Sequence, residues 1–443
     1  MGKALHRHRK NRSYGMKNLT LLLFCILAFT VQAQDFENVI YEDVTYVENI
    51  KTVQMVLEGK PFSNAIYNMD VPAERLLLSF DDLNGGFENY VYTIIHCNAD
   101  WTPTNLFQNQ YLAGFFEDQF SKQMQSFNTL TKYTHYELLL PNENMQMKLS
   151  GNYVVHVYKD FNKSEPILTR RFFVLKSSMA VIPYLRRPSR PDAIQTSHEI
   201  DFDINTSGTT IFNPFEEIKV VIRQNNRWDN QVLGLLPLFI RDNILTYDYA
   251  DRNIIKAGNE FRKVDLRNIR FRGERVARLE IEGDDIYAWV SPEDGRAHMR
   301  YLAYQDLNGR YLIQTREGRE AKTDGDYLIT TFTLYNQGPL VGGEVHILGQ
   351  LTDWQITEGT KMKYDYELGA YQITLLLKQG FYDYMYVFKR DGAQLVDDTW
   401  FEGSYEDTEN DYEIFVYHRP PTSMQFDRLV AYTKINSMNR FGR

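Results

Sequence analysis

The sequence predicts an all-β protein built from tandem immunoglobulin-like or early-set β-sandwich domains. Aromatic residues make up 14% of the 443 residues, with 30 Tyr and 27 Phe. Aromatic rings favour the pleated, half-buried surface of a sheet. Short alternating segments such as HEIDFDI (198–204) and AYQITLLLK (370–378) recur along the chain and indicate strands. Helical periodicity is scarce, and residues 119–129 are the best candidate for a helical turn.

The N-terminus is predicted to be a secretory signal peptide that is cut after Ala33. A basic segment is followed by an apolar run at 19–31 and a Val-Gln-Ala exit. A start at Met16 would give an equally complete signal peptide. Cys25 is a poor lipidation site, because lipidation needs a small residue where the chain has Phe24. We therefore expect an exported protein that lies in the periplasm.

Removal of residues 1–33 changes the formal net charge from −9 to −15, because that segment carries six Lys or Arg and no Asp or Glu. Such a balance argues against nucleic acid as a partner. The apolar run at 232–240 is too short to cross a bilayer as a helix, so direct membrane insertion is not expected. Cys97 stays as the only cysteine, so the exported chain has no internal disulfide.

A weak internal repeat predicts the number of domains. The pattern Leu-x-(x)-Gly-x-Tyr places Tyr153, Tyr311 and Tyr382 at the entrance of alternating strands. It is typical of the tyrosine corner of Greek-key sandwiches, although three unrelated turns would give the same letters. The Pro- and Arg-rich segment 181–193 and the charged segment 316–327 are interpreted as connectors. We therefore place β-sandwich domains at 34–178, 190–320 and 325–422, followed by a tail at 423–443.

The segment YVYTIIHCNADWTPTNL (90–106) contains the residue types of a thiol nucleophile, namely His96, Cys97 and Asp100. Neighbours on a strand point to opposite faces, so His96 cannot serve Cys97 as a base if the strand continues through both. We expect Cys97 on the Tyr-Ile core face and buried, and His96 in a local hydrogen bond. Trp101 is expected to fold back and close the sandwich. A thiol enzyme is the competing hypothesis.

Neither a metal site nor a cofactor site is predicted. The chain has no Walker-type loop, nucleophile elbow or dinucleotide fingerprint. Its histidines do not have the spacing of a helical zinc site. The acidic segment 406–413 would need Gly and Glu at the sixth and twelfth positions of a calcium loop, but Tyr412 and His418 stand there. The sequence therefore predicts a protein that is not an enzyme and binds no cofactor.

Residues 343–388 resemble the early-set sandwich of glycogen-binding modules. The positions that carry the resemblance are Trp354, Tyr371, Gly380, Tyr382 and Tyr384. In that frame they chiefly pack the sandwich, and the further exposed aromatics that stack on sugars are not evident. A periplasmic glycan-binding protein that uses this C-terminal domain is the alternative function.

Six motifs in the same order resemble the plug protein family of the Bacteroidetes type IX secretion system. They are HCNADW (96–101), YLAGF (111–115), THYELLLPN (134–142), LSGNY (149–153), NEFRKVDLR (259–267) and TENDYEIFVYHRP (408–420). The resemblance implies a periplasmic protein that docks on the outer-membrane translocon barrel and closes its pore while no cargo is in transit. The resemblance supplies no catalytic residues. We read the following as structural signature positions: His96, Cys97, Asp100, Trp101, Tyr153, Tyr311, Trp354 and Tyr382.

Two segments are candidate anchors for a partner protein. They are the Arg-rich YLRRPSRP (184–191) and the aromatic-rich NLFQNQYLAGFF (105–116). Arg and aromatic residues supply much of the binding energy at protein interfaces. Either segment can anchor a partner only if its side chains are exposed on the folded protein.

Overall fold

Of the residues that the structure describes, strands make up 47% and helices 6%, so the predicted all-β fold is confirmed. The computed structural model describes residues 39–316, 320–421 and 425–439. The predicted signal peptide at 1–33 lies outside the described residues. In the part that is described, no helix is both long and apolar enough to cross a membrane.

The first sandwich packs two sheets around an aromatic core. Its elements are β1 (Val44–Thr45), β2 (Ile50–Leu57), β3 (Ile66–Asn68), β4 (Leu76–Asp82), β5 (Tyr90–Cys97), α1 (Gln108–Tyr111), β6 (Leu112–Gly114), β7 (Glu117–Gln119), β8 (Lys122–Gln125), β9 (Thr134–Leu140), β10 (Met145–Met147), β11 (Gly151–Lys159) and β12 (Asn162–Leu175). One sheet has the order β1-β12-β11-β5-β7 with β3 beside β12, the other has the order β2-β4-β9-β8, and β6 pairs with β10. Phe80 and Tyr136 stack in the core at a centroid distance of 5.2 Å.

The helical turn predicted at 119–129 is wrong. Residues 117–119 and 122–125 form β7 and β8, and β8 pairs antiparallel with β9. Phe120, Met124 and Phe127 have helical spacing, but pairing with the neighbouring strand β9 decides the conformation of the segment.

The middle sandwich begins with β13 (Ala180–Arg186), β14 (Ser197–Asn205), α2 (Pro214–Glu217), β15 (Ile218–Gln224), β16 (Val232–Leu233), β17 (Phe239–Arg241), β18 (Ile244–Tyr247) and β19 (Ile254–Lys256). One sheet has the order β13-β14-β18-β17 with β19 beside β14. The predicted connector at 181–193 is thus strand in its first half. Pro183 is tolerated there because β13 lies at the edge of its sheet.

The third sandwich consists of β20 (Arg262–Asp265), β21 (Val276–Glu282), β22 (Asp285–Val290), β23 (Glu293–Asp294), β24 (Tyr311–Ile313), α3 (Ala321–Asp324), β25 (Tyr327–Tyr335), β26 (Gly343–Leu348), β27 (Lys363–Asp365), β28 (Ala370–Lys378), β29 (Gly380–Arg390) and α4 (Thr399–Glu402). Its sheets have the orders β20-β29-β24, with β26 beside β29, and β21-β22-β25-β28-β27, with β23 beside β25. Short 3-10 helices lie at Gln350–Thr352 and Glu358–Thr360. The two sheets share one apolar core.

The chain returns to the middle sandwich with β30 (Asp411–His418) and β31 (Arg428–Asn436), followed by a 3-10 helix at Ser437–Asn439. These strands complete a sheet of the order β16-β15-β30-β31. Residues 262–402 are therefore inserted between two parts of the middle sandwich. The predicted boundaries differ from this arrangement, since they place 262–313 in the middle domain and 411–418 in the third. The predicted tail contains β31, in which Leu429 is fully buried.

Candidate functional site

The His-Cys motif lies at the end of β5, which is buried along its whole length. The Nδ1 atom of His96 lies 3.1 Å from the Thr104 hydroxyl oxygen, and its Nε2 atom lies 3.4 Å from the Ser150 carbonyl oxygen. Burial lowers the pKa of His96 to about 4, against the opposing effect of the Ser150 hydrogen bond. His96 is thus a neutral core residue held by local contacts.

Cys97 is fully buried, and its Sγ atom lies 3.8 Å from the carbonyl oxygen of Ile95. The prediction that Cys97 lies on the Tyr-Ile face of β5 is wrong, because alternation along the strand places Tyr92 and Ile94 on the side of His96. Burial, and secondarily the charge of Asp100, raise the pKa of the Cys97 thiol well above its usual value. Because a thiol nucleophile needs a stabilised thiolate, this environment does not suit one.

Asp100 and Trp101 form the turn that follows β5. The Oδ1 atom of Asp100 accepts hydrogen bonds from the backbone N–H and the hydroxyl of Thr102, at 3.1 and 2.6 Å. Trp101 has a φ of 66° and packs edge-on against Phe173 and Trp228, with centroid distances of 5.3 and 5.4 Å. Since Trp228 belongs to the middle sandwich, Trp101 joins two sandwiches as well as covering the end of its own.

The three repeat tyrosines divide into two kinds. Tyr153 donates to the Leu149 carbonyl oxygen at 2.8 Å, and Tyr382 donates to the Lys378 carbonyl oxygen at 2.5 Å. Both bonds reach back four residues, as in a tyrosine corner. Tyr311 differs, because its hydroxyl donates to the carbonyl oxygen of Val53 in the first sandwich at 3.3 Å.

The early-set frame residues of the third sandwich are core residues. Trp354 is 5% exposed and packs edge-on against Phe261 at 5.9 Å between centroids. Tyr371, Tyr382 and Tyr384 are buried in the core between its two sheets. These rings stabilise the sandwich and do not present a face to a ligand.

A buried polar network joins all three sandwiches, and we call it the three-way junction. Asn64 of the first sandwich donates to Glu413 of the middle one and to the Tyr432 hydroxyl. Arg310 of the third sandwich donates to the Asn64 side-chain oxygen at 3.1 Å. Arg223 donates through Nε to Glu413 at 2.9 Å, and both of these side chains are 1% exposed. A few side chains thus fix the three sandwiches against one another.

A second buried cluster joins the first and third sandwiches. The Asp81 carboxylate receives the Lys378 ammonium, the His135 ring and the Tyr327 hydroxyl, each at 2.6 Å. Burial alone would raise the pKa of Asp81, but Lys378 and His135 outweigh it and hold that pKa below its usual value. With these two clusters, the described residues from Ile40 onward form one compact unit.

The aromatic-rich segment 105–116 is partly exposed, and we call it the aromatic loop. The Gln108 side chain donates to the Thr93 hydroxyl at 3.0 Å, and that hydroxyl donates to the carbonyl oxygen of Phe116 at 2.7 Å. The two ends of the loop therefore lie at the same point of β5. Its exposed rings, with exposed fractions of 68%, 59% and 41%, are Phe107, Phe115 and Phe116.

The Arg-rich segment 184–191 already has partners within the chain. Arg187 pairs with Glu406 at 2.6 Å, and Arg190 pairs with Asp192. Arg186 lies 3.1 Å from an Asp201 oxygen. Because these guanidiniums have intramolecular carboxylates, the segment is a weaker candidate for a partner site than the aromatic loop.

An apolar edge of the middle sandwich was not identified from the sequence. The run 232–240 contains the exposed residues Leu233, Leu236, Leu238, Phe239 and Ile240. Its strands β16 and β17 each stand at the end of a sheet's strand order, and edge strands can pair with other chains. The sequence signal for it is an apolar run without alternation, interrupted by Gly234 and Pro237.

One group of carboxylates in the described ranges has oxygen atoms close enough to share a metal ion. Glu199, Asp201 and Asp248 bring one oxygen each within 4.8 Å of one another. Arg186 lies 3.1 and 3.9 Å from the oxygens of Asp201 and Asp248. That guanidinium already supplies positive charge to the cluster.

Comparison with known proteins finds a family profile for part of the chain and a similar solved structure for most of it. A profile described as "Type 9 secretion system plug protein 1st domain" matches residues 50–176, which include the aromatic loop and the His-Cys motif. The crystal structure of a hypothetical protein from Parabacteroides merdae ATCC 43184 is 32% identical, covers 90% of this chain and 100% of its own, and has a TM-score of 0.87. A bacterial ice-binding adhesin aligns with a TM-score of only 0.14. Comparison with curated proteins finds no match.

Proposed function

Because this chain belongs to the type 9 secretion system plug protein family, we propose that it closes the periplasmic mouth of that system's outer-membrane translocon barrel while no cargo is in transit. The observation that carries the proposal is the family match over residues 50–176. In this role the protein is not an enzyme and needs no cofactor. Its predicted export signal would bring it to the periplasm and to the outer membrane through its partner.

The construction of the molecule suits a gate. A body that blocks a wide aqueous pore has to keep its shape while its partner presses on it. The three-way junction joins the sandwiches through Asn64, Glu413 and Arg310. The buried Asp81–Lys378 ion pair joins the first sandwich to the third. Removing one partner of such a pair typically costs about 3–5 kcal/mol, so relative motion of the sandwiches is strongly opposed.

We assign the docking contact to the aromatic loop. Clustered exposed aromatic residues are rare on soluble proteins and mark interaction sites. Here three exposed Phe rings belong to one loop whose ends are tied to Thr93. A gate must also release its partner. The protein therefore has to bind the resting translocon more tightly than the cargo-loaded translocon.

Co-purification tests the proposal. Affinity-tagged protein is expressed in its own host, and the outer-membrane proteins captured with it are quantified by mass spectrometry. We expect the large translocon barrel to be captured. If wild-type protein captures no barrel, the proposed function is wrong.

A triple variant tests the docking contact. Phe107→Ser, Phe115→Ser and Phe116→Ser together should lower capture of the barrel at least tenfold, which corresponds to about 1.4 kcal/mol of binding free energy. The matched control is Leu233→Ser, Phe239→Ser and Ile240→Ser, which removes exposed apolar side chains from the middle sandwich and should capture normally. Loss of capture in the control alone would contradict the assignment to the aromatic loop.

One observation favours the glycan-binding alternative. An open groove on the third sandwich is lined by Tyr364 and Tyr366 together with polar side chains such as Lys361, Glu367 and Gln372. Tyr366 is 81% exposed, and exposed rings flanked by polar groups can stack on sugars. Calorimetry with soluble α-glucans tests this function. Absence of binding, or binding that Tyr366→Ala leaves unchanged, would remove it.

A further inference from the structure

The outer edge of strand β21 (Val276–Glu282) in the third sandwich is open. This strand stands at the end of its sheet's order, and among the described residues its strand partner is β22 alone. An open edge can pair with a strand of another chain. We propose that this edge pairs antiparallel with the same edge of a second copy of this chain and so forms a symmetric dimer. The inference is independent of the proposed function.

The backbone of β21 offers unpaired hydrogen-bonding groups at alternate residues. Glu282 and Asp285 flank the two-residue turn to β22, and the pair that closes such a turn is hydrogen-bonded. Glu280 therefore also bonds to β22, whereas the N–H and C=O groups of Leu279 and Ile281 point to the open edge. In the part of the chain that the structure describes, these groups have no backbone partner.

The charges along this edge are arranged in a self-complementary order. Residues 270–278 contain four Arg and one Glu, whereas residues 280–285 contain four acidic residues and no Lys or Arg. An antiparallel pair of identical strands brings the basic end of one copy to the acidic end of the other. Charge complementarity therefore favours a second copy over a partner that carries one sign of charge.

The charges also select one register of the pair. When the two-fold axis passes through Leu279, Arg278 of each copy lies directly opposite Glu280 of the other copy. An axis at Arg278 or at Glu280 would place two like charges opposite each other, and so would a parallel pairing in register. Opposite charges across a strand pair are stabilising and like charges are destabilising. The two-fold axis at Leu279 is therefore the favoured one.

The side chains on the two faces of β21 suit this register. On the outer face, Arg278 pairs with Glu280 of its own strand and lies over the Trp289 ring at 4.5 Å from the centroid, so both charged groups are held in place. On the other face, Leu279 packs against the apolar core and Ile281 is 50% exposed. Pairing would cover Ile281 and extend the apolar face into the second copy.

The contact is short, so the dimer is weak. A bulge between Val276 and Arg278 ends the regular pairing with β22, and Arg272 donates to the Ala277 carbonyl oxygen at 2.8 Å. Residues 277–281 are left for the pairing, which is less than a permanent interface uses. We expect a dissociation constant on the order of 10–100 µM, and weaker association at high salt because the ion pairs are exposed.

Sedimentation equilibrium of the purified protein tests the proposal. Samples from about 2 to about 200 µM span the expected dissociation constant. The average mass should rise from that of a monomer towards that of a dimer, and it should rise less at high salt. A protein that stays monomeric over this whole range would overturn the proposal.

Charge reversal tests the register. Arg278→Glu and Glu280→Arg each place like charges opposite each other, so each variant alone should dimerise at least tenfold more weakly. An equal mixture of the two variants should dimerise again, because every cross-strand pair in the mixed dimer then joins opposite charges. Arg75→Glu is the matched control, since it breaks an exposed ion pair with Glu58 on the first sandwich and should dimerise as wild type does. A mixture that stays monomeric would overturn the proposed pairing.

The apolar edge at 232–240 is the other surface through which two copies could associate. The variant with Leu233→Ser, Phe239→Ser and Ile240→Ser should dimerise normally if β21 forms the contact. Loss of the dimer in this variant, with an unchanged dimer in Arg278→Glu, would place the contact on the middle sandwich and refute the proposal.

Discussion

Two buried histidines of the first sandwich have strongly lowered basicity. Burial lowers the pKa of His96 to about 4, and burial, with a smaller effect of Lys163, lowers that of His156 to about 4. His156 is 1% exposed, and neither ring nitrogen has a hydrogen-bond partner among the described residues. A neutral imidazole is therefore built into the native core.

The pH dependence of stability should reveal His156. In the unfolded chain the ring takes up a proton below about pH 6.5, whereas in the folded protein it does so only near pH 4. The contribution of His156 is thus complete above pH 6.5 and is lost as the pH falls towards 4. At pH 5 the loss is about 2 kcal/mol. The free energy of unfolding is measured in urea at pH 8 and at pH 5. Its fall between these two pH values should be about 2 kcal/mol smaller in His156→Phe than in wild type. Equal falls would contradict the buried neutral ring.

Cys97 should behave as a core residue rather than as a nucleophile. Its thiol is fully buried with a raised pKa, so a thiol reagent should not modify native protein at pH 8 but should do so in urea. Cys97→Ser should cost about 1–3 kcal/mol of unfolding free energy, because it buries a hydroxyl with few partners, and Cys97→Ala should cost less. Rapid modification of the native protein would contradict this account.

Single residues differ in how much of their role can be predicted from sequence. The corner at Tyr153 is predictable because its acceptor, Leu149, lies four residues upstream. The same pattern around Tyr311 predicts a local corner, but the acceptor of this hydroxyl is Val53, far away in the sequence. A local pattern reports local contacts and cannot reveal a contact between sandwiches.

At the level of elements, the alternating segments identified most strands but not their partners. The segment 370–378 is β28, as its alternation predicts. The pairing of β15 with β30 joins residues 218–224 to 412–418. No local period encodes this pairing, since it depends on the whole third sandwich folding between the two strands. The predicted boundaries therefore follow the connectors and not the pairing.

The contact between β4 and β28 makes an energetic prediction. Lys378→Met leaves the fully buried Asp81 carboxylate without its strongest partner, so it should cost about 3–5 kcal/mol of unfolding free energy. Adding Asp81→Asn removes the buried charge and should recover a large part of that loss. Urea unfolding of the two single variants and the double variant gives the coupling. Additive losses would show that the pair does not stabilise the interface.

The whole molecule should unfold as one unit. The three sandwiches share buried polar contacts, and the third is inserted into the middle one. Calorimetry of the wild-type protein should therefore show one transition whose calorimetric and van't Hoff enthalpies agree closely. Arg310→Met removes the link of the third sandwich to Asn64 and should broaden or divide the transition. Separate transitions in the wild type would contradict a rigid gate.

The candidate docking surface was only partly predictable. Aromatic content identified residues 105–116 as an anchor, but the exposure of Phe107 and the burial of Tyr111 follow from how the loop closes on Thr93. The apolar edge at 232–240 was missed, because its exposure depends on β16 and β17 lying at the ends of their sheets. Exposure is a property of the assembled molecule.

Conductance of the translocon tests the central claim most directly. The purified barrel, freed of this protein, is placed in a planar lipid bilayer, and the protein is added to the side of the periplasmic mouth. The account predicts an open channel whose current falls to near zero on addition, and a much weaker block by the Phe107→Ser, Phe115→Ser and Phe116→Ser variant. A current that wild-type protein leaves unchanged would contradict the proposed gate.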